Sequence, residues 1–206
     1  MMRSEGGEVG KRRKGVVLAS HLIWTGYGHW LPNDPRGSGS VEIRKEELEV
    51  LGPIHRGRKM EQPPKKEVAR FYGEAEPLLD HERLWFNEAM RVALGQAFGE
   101  GAGRHGYTVY ALAVGRNHVH GVVRAHRDRA AVIWTNLARA TRESLREARL
   151  IPEGHPLWAD RPYKVFLMNN KHVETCIGYV EENLAKAGLG AQKWGFVVPY
   201  QRVRGW

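Results

Sequence analysis

The order in which strand-like and helix-like segments follow one another constrains this chain more than any single motif. Val16 to Thr25 (VVLASHLIWT) is rich in β-branched and aromatic residues and reads as a strand. Asp80 offers an N-cap for a helix through Phe98, with Phe86, Met90, Ala93, Leu94 and Ala97 on one face. Gly99 and Gly101 are expected to stop it. Tyr107 to Val114 and His118 to Arg124 form a second and a third strand, separated only by Gly115-Arg116-Asn117. A helix from Arg129 to about Leu150 places Ile133, Leu137, Ala140 and Ala148 on its apolar side. Pro152, Gly154 and Pro156 then break the chain before a fourth strand, Tyr163 to Leu167. A last helix runs from Asn170 to about Ala187 and closes at Gly188. Strand, helix, strand, strand, helix, strand is the split β-α-β order. The expected fold is therefore α+β: a ferredoxin-like sandwich, an antiparallel sheet with helices on one face, plus an appended C-terminal helix.

The 206 residues suit a single domain over 15–206, preceded by a disordered basic tail, 1–14, that ends in Lys11-Arg12-Arg13-Lys14. Between 33 and 76 periodicity is weak and charge is high, which reads as an insertion loop with a short helix near 42–50. No apolar run approaches the roughly 20 residues that span a bilayer, so no membrane is expected as a partner. Met1 to Lys14 lacks the apolar stretch of a signal peptide, and the single cysteine, Cys176, excludes an internal disulfide. A cytoplasmic location follows as the expectation. The net charge is +9 and the isoelectric point about 9.8. Such a surplus favours polyanions, because each neutralised phosphate releases a condensed counterion.

Chemistry concentrates at two places. In Asn117-His118-Val119-His120 the strand alternation turns both histidines to one face and Val119 to the other. Adjacent imidazoles suit a divalent metal, and they equally suit a hydrogen-bonded or surface pair. In the last helix Tyr179, Asn183 and Lys186 stand at i, i+4 and i+7, on one face, with Ile177, Val180 and Leu184 around the other side. An amphipathic helix whose tyrosine covers the core edge would show the same pattern. A tyrosine hydroxyl becomes a nucleophile toward a phosphodiester when a metal polarises the phosphate and a cation stabilises the phenolate.

His118-Val119-His120 followed by Tyr179-Val180-Glu181-Glu182-Asn183-Leu184-Ala185-Lys186-Ala187-Gly188-Leu189 resembles the single-tyrosine HUH transposases of the IS200/IS605 type. The likeness is greater to their relatives associated with repetitive extragenic palindromes, in which Tyr-x-x-x-Asn precedes a Lys-Ala-Gly-Leu segment. It runs from about residue 16 to 200. The resemblance implies that Tyr179 is a nucleophile and that His118, His120 and Asn183 are ligands of Mg²⁺ or Mn²⁺. It implies cleavage and rejoining of single-stranded or hairpin DNA through a 5′-phosphotyrosine, with Lys186 stabilising the phenolate or binding the phosphate. Gly121 and Leu184 depart from it, since many relatives carry a bulky aliphatic residue and a proline there.

Further DNA contacts are expected from Arg139, Arg142, Arg146 and Arg149, which recur at helical spacing, and from stacking by Trp24, Tyr27, His29 and Trp30. A solvated helix face and core packing are the competing readings of these two groups. Two other functions stay open: a non-catalytic, domesticated nucleic-acid-binding protein on the same scaffold, and a nickase of the replication-initiator or relaxase kind. The latter commonly places a lysine three residues after its tyrosine, where this chain has Glu182. Monomer and homodimer are both compatible with the sequence.

Overall fold

The computed structural model describes residues 16–159 and 163–203, so the 1–14 tail lies outside the described residues. In chain order the elements are β1 (Ala19–Thr25), α1 (Lys65–Ala75), α2 (Glu88–His105), β2 (Val109–Val114), β3 (His118–Arg124), α3 (Ala130–Glu147), β4 (Tyr163–Leu167) and α4 (Asn170–Lys186). The strands form one sheet in the order β2-β3-β1-β4, and every pairing is antiparallel. This is the ferredoxin-like arrangement expected from the order of the segments. It sets β1 and β3 side by side at the centre, with Ile23 opposite His120 and His21 opposite Val122.

The sheet is covered on both faces. Leu22 and Trp24 of β1 join Val119 and Val123 of β3 in one core with Met90, Leu94 and Phe98 of α2 and Ile133 and Leu137 of α3. The alternate residues Ala19, Ala111, Ala113 and Val122 pack against Val173, Val180 and Leu184 of α4. The appended helix thus closes the face that the ferredoxin-like pair leaves open. Strand alternation sends His21, His118 and His120 to that same face.

The second helix begins and ends later than the sequence led us to expect. Asn87 caps it, its side-chain oxygen accepting from the Met90 amide at 2.9 Å, whereas Asp80 is exposed and ion-paired with Lys45. Gly99 and Gly101 do not stop it; the left-handed Gly106 does, at φ 70°. At Gly99 a Cβ would fall 2.4 Å from the Phe196 ring, so this glycine serves close approach of the C-terminal segment. The insertion is also more ordered than a loop. A short 3-10 helix, Glu46–Leu51, occupies the region where one was expected, and α1 was missed. Leu31, Leu48, Phe71, Tyr72 and Ala75 form a small core there. The sequence of α1 hides this because only Phe71, Tyr72 and Ala75 are buried within a charged segment.

Candidate active site

Four side chains separated by up to 158 positions meet between the sheet and α4. His120 Nδ1 lies 2.9 Å from His21 Nε2, and the His118 ring stands edge-on to His120 with centroids 4.7 Å apart. From α4, the Tyr179 ring reaches both His120 and His21, at 5.6 and 6.0 Å. Tyr179 is 41 % exposed, so its hydroxyl-bearing ring borders the histidines while open to solvent. One turn further on, Asn183 makes a side-chain hydrogen bond to His118. The Lys186 ammonium lies 5.6 Å from the Tyr179 ring centroid and is paired with Glu182 at 2.8 Å. The i, i+4, i+7 spacing on α4 and the alternation on β3 therefore converge.

Burial decides the charge of these rings. Desolvation lowers the His21 pKa to about 4. Burial lowers His118 as well; the Asn183 hydrogen bond opposes this and the Arg36 guanidinium adds to it. His120 is held lower still, by burial first and then by His118 and His21. All three imidazoles are neutral at pH 7, the form that ligates metals. Among the described residues no group of three or more His, Cys, Asp or Glu side chains converges on a cation position. A divalent cation here would have two imidazoles, His118 and His120, and the amide oxygen of Asn183. That mixed set fits Mn²⁺ or Mg²⁺ with positions left for phosphate oxygens. Asp34, the carboxylate nearest in kind, is committed elsewhere: it is fully buried and takes hydrogen bonds from Arg36 and Tyr72.

His118 also has a partner on its other side. Its Nδ1 is 2.8 Å from Asn117 Oδ1, the Asn117 amide nitrogen is 3.3 Å from His29 Nδ1, and His29 Nε2 is 3.2 Å from the Leu84 carbonyl. His21 and Asn117 were given no role from sequence, and His29, read there as a stacking residue, is buried and cannot stack on a base. The available signal was a polar residue in an apolar strand and an asparagine ahead of the histidine pair, but their partners lie 88 to 99 positions away.

The expected DNA contacts divide. Trp24 is fully buried, stacked on Trp134 and donating its indole N–H to the Trp134 carbonyl, so it is core and cannot stack on a base. Tyr27 is half-buried against His81 and His155. Trp30 is exposed, in the left-handed region at φ 54°, its amide donating to the Tyr72 hydroxyl at 2.8 Å. The Arg36 guanidinium lies 4.0 Å over its ring. Arg139, Arg146 and Arg149 are exposed and Arg142 half-buried, on or just beyond α3. That helix packs on the sheet face opposite the histidines, so these arginines stand apart from the site.

No family model matches the chain, and no curated protein matches it. Among helical elements of the described residues, none is long and apolar enough to cross a membrane. Two solved structures are similar in chain course. One is a REP-associated tyrosine transposase bound to a REP hairpin, 13 % identical, with 92 % of this chain and 81 % of that chain covered and a TM-score of 0.46. The other is a candidate transposase of Deinococcus radiodurans R1, 18 % identical, with 88 % and 97 % covered and a TM-score of 0.38. Superposition at that level is loose, and what this chain does has to be read from its own side chains.

Proposed function

We propose that the chain is a metal-dependent DNA nuclease and strand-transfer enzyme of transposase type, acting on single-stranded or hairpin DNA with Tyr179 as nucleophile. The observation that carries this reading is the seating of the Tyr179 ring against His120 and His21 at 5.6 and 6.0 Å. A tyrosine that merely covered the core edge would have no reason to meet a strand-borne pair of neutral histidines. His118, His120 and Asn183 would hold Mn²⁺ or Mg²⁺, which when bound supplies Lewis-acid polarisation of a phosphodiester oxygen. Tyr179 Oη forms the new bond to phosphorus while the bond from phosphorus to the 3′-oxygen breaks. The phenolic proton is released, the 3′-oxygen takes one up, and a 5′-phosphotyrosine remains. Attack by a second 3′-hydroxyl reverses the step without an external energy source. Lys186, whose ammonium lies 5.6 Å from the Tyr179 ring centroid, would steady a phenolate or a phosphate oxygen, exchanging its surface partner Glu182 for the more charged one.

The net charge of +9 and the exposed Trp30 ring, held against the half-buried Arg36, support a nucleic-acid substrate. The test is incubation of end-labelled hairpin DNA from the gene's own flanks with Mn²⁺, followed by a denaturing gel. A covalent adduct is expected from the wild type and none from Tyr179→Phe, with DNA binding kept within a few fold because only a hydroxyl is lost. An adduct that persists in Tyr179→Phe would refute the assignment and direct the search to the other tyrosines, Tyr27 first.

A further inference from the structure

The hydrogen bonds behind His118 determine which of its nitrogens carries the proton, and the deduction starts from a group with no ambiguity. The Leu84 carbonyl can only accept, so His29 Nε2, 3.2 Å away, must be the N–H. His29 is buried and uncharged, its pKa lowered to about 4 chiefly by desolvation. Its Nδ1 is then a lone pair and can only accept. The group 3.3 Å from it must therefore be the Asn117 NH2. That fixes the amide orientation and turns the Asn117 oxygen toward His118 Nδ1, 2.8 Å away. An amide oxygen accepts, so Nδ1 of His118 bears the hydrogen and Nε2 bears the lone pair, which Asn183, the other side chain bonded to this ring, meets with its NH2 until a cation displaces it. Four groups from three separate stretches of chain thus transmit one donor–acceptor choice from a backbone carbonyl to a candidate ligand.

The contrast with His120 sharpens the point. Its Nδ1 faces another imidazole nitrogen, His21 Nε2, at 2.9 Å, and two neutral rings can share one proton either way. Nothing at that contact selects a tautomer. One candidate ligand is preset by the fold, and the other can be set by what binds.

We propose that His29 and Asn117 are positioning residues that lock His118 in the Nδ1–H tautomer, so that its Nε2 is ready to ligate the divalent cation. The proposal rests on the metal reading given above, and its consequence is that removal of His29, which no ligand touches, weakens the metal site. A ligating histidine is ordinarily oriented by a partner on its other nitrogen, and loss of such a partner costs about 10–100-fold in affinity. Here the partner is itself oriented by a second histidine.

The test uses the full chain with 15N-labelled histidine and two readouts. Without metal, long-range 1H–15N correlation spectra report the tautomer of each ring. Wild type should show His118 as a single Nδ1–H form and His29 as Nε2–H. His29→Phe, which keeps a ring but no nitrogen, should release the amide of Asn117 and give a tautomer mixture at His118. Asn117→Ala should do the same, and Asn117→Asp, which keeps the acceptor oxygen, should restore Nδ1–H. With Mn²⁺ alone as probe, electron paramagnetic resonance of the free ion should show affinity reduced about tenfold or more in His29→Phe and Asn117→Ala and recovered in Asn117→Asp. An Nε2–H form of His118 in the wild type overturns the lock, as does a tautomer unchanged in both His29→Phe and Asn117→Ala. A mixture with unchanged Mn²⁺ affinity, while His118→Ala weakens binding, overturns the positioning role. Binding that His118→Ala leaves unchanged refutes the metal reading itself, and the positioning role with it, whatever the tautomer spectra show.

Discussion

His29 ties the stability of this protein to pH in a way that a single substitution can isolate. The side chain is 3 % exposed, and burial holds its pKa at about 4 against 6.5 for a free histidine. Between those values the unfolded chain binds a proton that the folded chain refuses, so stability rises with pH across the window from about 4 to 6.5. Above it neither state is protonated at His29, and below it both are. The displacement corresponds to roughly 3 kcal/mol lost by pH 4. His29→Gln removes this dependence and also the hydrogen bonds to Leu84 and Asn117, at a cost of about 1–2 kcal/mol. The variant should thus be less stable than wild type at pH 8 and more stable at pH 4, the two curves crossing near about pH 5.5. Urea unfolding followed by tryptophan fluorescence at half-unit pH steps measures both curves. Groups outside the hydrogen-bonded chain from Leu84 to His118 contribute alike to both curves and cancel in the difference. Parallel curves would refute the reasoning, because they would mean that folded His29 takes up its proton where a free histidine does.

Three further outcomes are expected. His118→Ala and His120→Ala should each raise the Mn²⁺ midpoint by about tenfold or more and abolish cleavage; unchanged titration in both would remove the metal site. Asn183→Leu should lose cleavage with little change in thermal stability, because Asn183 is only half-buried, while Asn183→Gln keeps part of the activity by supplying the same oxygen one methylene further out; wild-type cleavage by Asn183→Leu would exclude the amide as a ligand. Gly99→Leu should destabilise the fold by about 1–3 kcal/mol through overpacking against Phe196, seen as a lower Tm, and an unchanged Tm would contradict the close approach there.

What could be read from the sequence was what depends on neighbours in the chain. Alternation placed His118 and His120 on one face, and helical spacing placed Tyr179 beside Asn183. The strands β3 and β4 begin and end as expected, since β-branched and aromatic runs bounded by turn residues leave little freedom. What escaped depends on register between distant strands or on close packing. His21 is a partner of His120 only because β1 and β3 pair antiparallel, 99 positions apart. Trp24 looked available for stacking because its neighbours in sequence lie at a strand end; the α2 and α3 side chains that bury it come from far along the chain. Gly99 looked like a stop because glycine weakens helices, but the nearby Phe196 ring takes the space a side chain would fill.

The helix that bears Tyr179 is also a wall of the molecule. Val173, Val180 and Leu184 of α4 are buried against the sheet, and baring three such side chains costs roughly 5–9 kcal/mol. On that scale fewer than about one molecule in a thousand has α4 lifted away. On the function proposed above, the attacking oxygen would be anchored to the frame of the fold and would move only as one side chain moves. In such a reaction the traveller would be the nucleic acid: the free 3′-end would depart, a different one would arrive, and the protein would offer both the same fixed berth.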